Sequence, residues 1–363
     1  MGDVNATSGQ PKPVSTPTPA DAGGVVREPL LGMTLGQLQQ TVADLGLPRF
    51  TAAQIARWLY VQRVTDIEQM TNLSKKARQL LAQRYTVGRR APLTAMRSAD
   101  GTVKYLFDSG HSLDIEAVYI PDRDRATLCV SSQAGCKMRC AFCMTGRQGW
   151  HGNLTAADIV NQVLSIDDSQ SLTNLVFMGM GEPMDNLDAV LQAIEVLTAP
   201  WGLAWSPKRI TVSTIGKLPE MQRLIEETNV HVALSLHAAH AGERAELMPS
   251  EGAWPMLRIL DMVRQYDFAH QRRFSVEYIM WRGVNDSAAH ARALARLLQD
   301  TSARVNLIRF HAIPDSPLQG CDRQAMEAFR DRLNSLGVTA TIRASRGEDI
   351  MAACGLLAGS QKQ

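Results

Sequence analysis

Apolar positions recur along this chain in two rhythms, and the change from one to the other divides it. Leu35, Leu38, Val42 and Leu45 return at steps of three and four, and Gly46 and Pro48 then stop the helix they predict. Ile55, Trp58 and Leu59 share one face of a second helix over 52–62. A third fits 74–84, with Ser74 as its N-cap and Leu80 and Leu81 turned inward. These three make a small helical domain. Residues 1–28 ahead of it are rich in Pro, Thr, Ser, Ala and Gly with no apolar period, and read as a disordered tail.

From about Thr94 short apolar runs take over, at 104–107 and 112–120, and from Thr127 they alternate with helical stretches. Strands are predicted at 127–132, 174–178, 209–213, 230–236, 274–280, 304–310 and 339–343. Helices are predicted between them at 155–166, 186–197, 218–227, 254–266, 287–299 and 322–336. Short strands alternating with helices argue for parallel βα units. Six units are too few to close an eight-fold barrel, so the class is α/β and the architecture a partial (β/α)6 barrel. The division is a tail over 1–28, a helical domain over 29–92 and a connecting β extension over 93–125. A barrel over 126–345 and a C-terminal segment over 346–363 complete it.

With 45% hydrophobic and 20% charged residues the chain reads as an ordinary soluble globular protein. No apolar run approaches a membrane span, and no basic segment leads into an apolar core at the N-terminus. A net charge of +2 does not announce a nucleic-acid binder, but local patterning says more. Lys75, Lys76, Arg78, Arg84, Arg89 and Arg90 fall within sixteen residues that hold no acid, with Tyr85 among them. Such a stretch can track a phosphate backbone, and a solvated helix face looks similar.

The six cysteines gather around one motif and are not spread as a disulfide framework, which suits a reducing cytoplasm. Cys136, Cys140 and Cys143 stand in CxxxCxxC spacing after the first barrel strand. A closed zinc site wants four ligands, and so does a four-iron cluster held for electron transfer. Three cysteines on such a cluster leave one iron open. The alternative is a zinc site completed by a distant Cys or His. In a parallel barrel the active site gathers at the C-terminal strand ends. Gly179-Met-Gly181-Glu182-Pro183 follows the second strand, Ser213 and Thr214 the third, Ser235-Leu236-His237 the fourth and His311 the sixth. Glycines there let the backbone approach a ligand closely.

The CxxxCxxC loop resembles that of the radical S-adenosylmethionine (SAM) enzymes, in which the open iron of a 4Fe-4S cluster takes SAM. More of the chain is similar to the RlmN/Cfr family of radical SAM RNA methyltransferases. The similarity lies in Cys136 to Cys143, Gly179 to Pro183, Ser235 to Ala238, Arg346 to Gly355, Leu47 to Tyr60 and Met70 to Lys75. It runs from about Leu30 to Gly359, and Glu182-Pro183 looks more like the RlmN branch than the Cfr branch.

The resemblance implies methylation of carbon 2 of an adenosine in large-subunit ribosomal RNA, with the adenosine beside the anticodon of some tRNAs as a further substrate. Cfr-type members methylate carbon 8 instead. It implies two SAM per turnover: one methylates Cys354, and the other yields a radical that activates that methyl group for addition to the ring. By position Cys129 is then the thiol that releases the product through a disulfide with Cys354, and Glu116 is the proton acceptor. Gly181, Glu182, Ser213, Ser235, Leu236, His237 and His311 are implied at SAM. An electron donor such as flavodoxin, a monomeric state and a cytoplasmic location complete the expectation. The chain departs from the pattern at His311-Ala312, where RlmN members generally carry Asn-Pro and the Asn meets SAM. That leaves room for a divergent paralogue with another RNA substrate. A rival reading, an activase or maturase acting on protein, would have no use for Cys129 and Cys354.

Overall fold

In a computed structural model, residues 27–268, 270 and 272–362 are described, so the tail expected over 1–28 lies outside them except for its last two positions. There β1 (Glu28–Pro29) pairs in parallel with β2 (Tyr85–Thr86) and ties the two ends of the helical unit together. Between them lie α1 (Leu35–Asp44), α2 (Thr51–Ala56) and α3 (Lys75–Arg84). Thr34 and Gln37 form a capping box on α1, and Ser74 caps α3 by accepting from Ala77 N–H. The expected second helix is shorter than its apolar period, because the chain relaxes into a π turn over Arg57–Val61. In that turn Tyr60 is buried, and its hydroxyl donates to the Met33 carbonyl at 2.7 Å. Leu81 faces inward as expected, whereas Leu80 is only half-buried.

One ten-stranded sheet carries the rest. β3 (Thr94–Arg97), β4 (Val103–Phe107), β5 (Ile115–Asp122) and β6 (Arg125–Cys129) form an antiparallel meander. β6 then pairs in parallel with β9 (Asn174–Phe177), and β10 (Ile210–Thr214), β11 (His231–Ser235), β12 (Phe274–Met280), β13 (Arg304–Arg309) and β14 (Ala340–Ile342) follow in register. The order β14-β13-β12-β11-β10-β9-β6-β5-β4-β3 leaves β14 at an edge, so the barrel is open. The β extension is thus continuous with the barrel sheet.

The crossovers are α5 (Ala156–Leu164), α6 (Leu187–Thr198), α7 (Leu218–Glu227), α8 (Ala241–Leu247) with α9 (Met256–Val263), α10 (Ala288–Leu297) and α11 (Arg323–Ser335). Buried strands such as β12 read as nearly continuous apolar runs because both faces are covered. Three short elements have no counterpart in the periodicity: α8, α4 (Met144–Gln148), and the hairpin of β7 (Gln133–Gly135) with β8 (Trp150–Asn153).

The helical unit docks on the barrel through polar contacts. Arg89 donates to the Leu164 carbonyl at 2.6 Å, Arg90 pairs with Asp158, and Asn161 exchanges hydrogen bonds with the Arg90 backbone. Two residues of the basic run therefore serve the interface, while Lys75, Lys76 and Arg84 stay exposed.

Candidate active site

The cysteine loop is built from both ends. Cys136 N–H donates to the Gly149 carbonyl at 2.8 Å beneath the β7–β8 hairpin, and Cys143 is the N-cap of α4. Arg139 takes a left-handed conformation to turn the loop, with φ of +52°. Ala141 N–H donates to the Leu247 carbonyl, and Phe142 packs edge-on to His237 and against Trp281. The loop is thereby wedged onto the mouth of the barrel.

Its three thiols are buried enough to disfavour thiolates. Burial pushes Cys136 up to about 12 and raises Cys140 and Cys143, with mutual repulsion adding to the first two. Among the described residues, the one group of three potential ligand atoms within 4.8 Å of each other belongs to other side chains. The sulfurs are thus spaced more widely than a single zinc ion would draw them, which fits a cluster whose irons each take one sulfur. A cationic cluster would also offset the repulsion.

The strand ends converge on this loop. Gly181 has a φ of +97°, and a Cβ there would meet Gln133 Cβ at 2.5 Å. A Cβ on Gly179 would lie 2.7 Å from the Val130 carbonyl oxygen. These glycines let the turn after β9 press against β7, where Gln133 Oε1 accepts from Glu182 N–H. Glu182 is buried; Thr214 Oγ1 (2.6 Å), Ile215 N–H (3.0 Å) and Met184 N–H (3.2 Å) donate to its carboxylate. Burial lifts it to about 7 despite those bonds. Its charge reaches Cys136 and Cys140. Ser213 and Ser235 hydroxyls lie 3.3 Å apart at the ends of β10 and β11.

Leu236 is buried, and its carbonyl accepts from Arg244. His237 has a φ of +59°; its Nδ1 accepts from Ile279 N–H at 3.1 Å, and burial pushes the imidazole down to about 3. His311 follows Phe310, which packs on Trp281. It lines a cleft of about 530 Å³ with Arg309, Cys321, Glu348 and Met351. Its Nε2 hydrogen-bonds Ser345 Oγ at 3.0 Å, Nδ1 lies 3.7 Å from Glu348, and burial lowers its basicity.

The C-terminal segment closes over these groups as a strap. Met144 N–H donates to the Gly355 carbonyl at 2.9 Å, and Thr145 Oγ1 to the Leu357 carbonyl at 2.6 Å. Cys354 is thereby seated against the cysteine loop, within electrostatic reach of Cys143 and of Cys129 at the end of β6. Burial pushes the Cys129 thiol up to about 12, and Cys354 adds to the shift. Arg343 stays protonated beside Cys354, Glu277 and Cys129. The Glu116 carboxylate accepts from Ala358 N–H (2.9 Å) and Gly359 N–H (3.3 Å) and pairs with Lys104 at 2.9 Å.

Three charged residues of this region escape the sequence motifs. Arg244 is fully buried, paired with Glu251, and donates to the Ile215 carbonyl at 2.8 Å and the Ser235 carbonyl at 3.2 Å. Glu277 is buried on β12, where Asn306 donates to it at 2.7 Å, and Arg343 lies 3.9 Å away. No local pattern marks them, because their partners lie on other elements of the fold.

Comparison with known proteins bears on this geometry. Residues 130–295 match the Radical SAM superfamily, and residues 29–87 match the ribosomal RNA large subunit methyltransferase N-terminal domain. The chain is 55% identical over 335 residues to the probable dual-specificity RNA methyltransferase RlmN of Bacteroides thetaiotaomicron, covering 92% of this chain and 97% of that protein. It is 41% identical to the dual-specificity RNA methyltransferase RlmN of Bdellovibrio bacteriovorus, covering 90% and 82%. The crystal structure of a radical SAM methyltransferase from Sphaerobacter thermophilus superposes with a TM-score of 0.85 at 38% identity, covering 91% of this chain and 99% of that one.

Proposed function

The chain belongs to the RlmN family of radical SAM RNA methyltransferases, and on that premise we propose that it methylates carbon 2 of an adenosine in large-subunit ribosomal RNA. The dual specificity in its relatives' names supports a second substrate, the adenosine beside the anticodon of some tRNAs. The enzyme uses a 4Fe-4S cluster and SAM. Cys136, Cys140 and Cys143 would hold the cluster, and with it SAM supplies a carbon radical on reductive cleavage, the electron coming from a flavodoxin-type protein. Ser213, Ser235, Leu236 and the Gly181-Glu182 turn line the strand ends beside that loop and are the proposed SAM contacts, with His237 bracing them and His311 at the rim. Glu182 offers the carboxylate for the SAM ammonium.

The observation that carries the reading is the seat of Cys354 among Cys143, Cys129 and Arg343. An adenine carbon 2 is electron-poor and cannot displace a methyl from SAM, whereas a sulfur can. Cys354 is the methyl acceptor, with the Arg343 cation beside its sulfur. Cys129 is kept neutral by burial and gives up its proton as it attacks the Cys354 sulfur. The disulfide forms, the electron pair of the broken carbon–sulfur bond leaves with the base, and its methylene takes a proton to become the methyl group. Glu116 takes the ring proton. Its carboxylate also accepts from Ala358 and Gly359 N–H, which ties Glu116 to the segment bearing Cys354. Exposed Lys75, Lys76 and Arg84 on the helical unit are the proposed phosphate contacts. The enzyme acts as a monomer.

The two cysteines give the test. Cys354→Ala has no acceptor and forms neither methylated RNA nor an adduct. Cys129→Ala still adds to the ring but cannot release it, so RNA remains covalently bound through Cys354 as a nuclease-sensitive slow band on a denaturing gel. Normal turnover of Cys129→Ala with no trapped RNA removes the two-cysteine mechanism.

A further inference from the structure

Away from the barrel mouth, two helices of different βα units meet through side chains the radical chemistry does not use. His240 is the N-cap residue of α8, is exposed, and its ring caps nothing. Glu243 stands one turn later. His290 lies in the first turn of α10, where it completes a capping box: its Nδ1 lies 2.7 Å from Ser287 Oγ and accepts from Ser287 N–H. That bond fixes the ring and turns Nε2 toward α8, 2.9 Å from Glu243 Oε1. The His240 and His290 rings are 5.8 Å apart, and one ligand atom from each of the three residues lies within 4.8 Å of the others. The second carboxylate oxygen, Glu243 Oε2, is buried and accepts no hydrogen bond from a described residue. A buried acceptor without a donor is costly unless something satisfies it.

We infer that His240, Glu243 and His290 form a divalent-metal site, distinct from the cluster loop, whose chemistry suits Zn²⁺. Two imidazole nitrogens and one carboxylate oxygen are a borderline-soft donor set that zinc takes readily, with water in the fourth position. With Nε2 on the metal, the ring proton sits on Nδ1 and is donated to Ser287 Oγ, in place of the longer contact from Ser287 N–H. This is the outer hydrogen bond that orients a metal-binding imidazole. Three protein ligands on two helices make the ion a clasp between α8 and α10. The residue after Glu243 is Arg244, which holds the Ser235, Leu236 and Ile215 carbonyls. The clasp therefore sits beside, and not among, the groups that hold those strand ends. The site stands on geometry alone and does not depend on the RNA reaction.

The test uses cluster-loaded full-length protein, handled anaerobically, given ZnCl₂ and then dialysed into metal-free buffer. Zinc and iron per chain are measured by elemental analysis, and unfolding temperature with and without zinc. Wild-type protein should keep one zinc in addition to its iron and unfold a few degrees higher with it, since a ligand bound only to the native state stabilises it. His240→Ala alters an exposed ring, and His290→Gln keeps a capping-box residue at that position. Each should lose the zinc and the thermal shift while keeping wild-type iron content and methylation activity. Zinc absent from the wild type overturns the site. So does zinc retained equally by wild type and both variants, which would place it on other ligands.

Discussion

His237 shows how a single buried group sets the behaviour of the whole mouth of the barrel. Its Nδ1 accepts from Ile279 N–H, so the ring proton sits on Nε2, and the ring supports Phe142 of the cysteine loop. Burial lowers its pKa from the usual 6.5 to about 3. A depressed histidine contributes stability that is complete above pH 6.5 and lost as pH falls toward 3, because the unfolded chain takes a proton the folded chain refuses. His237→Asn keeps an acceptor near the Nδ1 position and removes the titration. Between pH 7.5 and 5.5, wild type should lose about 1.4 kcal/mol relative to this variant, read from urea unfolding of the cluster-loaded protein. Parallel curves would mean that the ring is not held neutral. At this scale the sequence speaks unevenly. CxxxCxxC is legible because its spacing is local, and Gly181 because only glycine fits both its φ and its approach to Gln133. Arg244, Glu277 and Arg343 are not, since a charged residue gains its meaning from partners the fold brings.

At the scale of elements, the strand–helix alternation is legible because buried parallel strands are short apolar runs bounded by polar turns. The short α8 and the β7–β8 hairpin are not, having too few residues to show a period. Nor does periodicity reveal what the β extension does, which is to anchor the C-terminal strap. Asp349 accepts from Ser98 Oγ at 2.6 Å and Ala99 N–H at 3.1 Å, Asp100 accepts from Gly347 N–H at 2.9 Å, and Leu113 bridges to Gln361. Gly347, with φ of +64°, is the hinge of that strap; a Cβ there would lie 2.8 Å from Ala352 Cβ and 2.9 Å from Thr102 Cγ2. Gly347→Val should displace Cys354 while leaving the cysteine loop intact. Methylation of Cys354, followed by mass spectrometry of its peptide, should fall on the order of a hundredfold, with iron content unchanged. Asp349→Ala, a milder release of the same strap, should fall in the same direction. Wild-type methylation in both would show that the strap does not position the sulfur.

The whole molecule is an open sheet with a helical unit clamped to one side and a strap across its mouth. Its order was legible from the pattern, because six helices between seven strands admit few arrangements. The docking of the helical unit was not: Arg89 and Arg90 read as part of a basic run, yet they bind Leu164 and Asp158 and spend their charge within the molecule. No described helix is long and apolar enough to cross a membrane. The central claim is the chemistry of one carbon atom, and nucleoside mass spectrometry reads it directly. Large-subunit ribosomal RNA lacking the modification is incubated with cluster-loaded protein, SAM and a reductant, then digested. The account predicts 2-methyladenosine with wild-type protein and none with Cys354→Ala. Methylation at carbon 8, or an unmodified adenosine after wild-type protein has cleaved SAM, would contradict it.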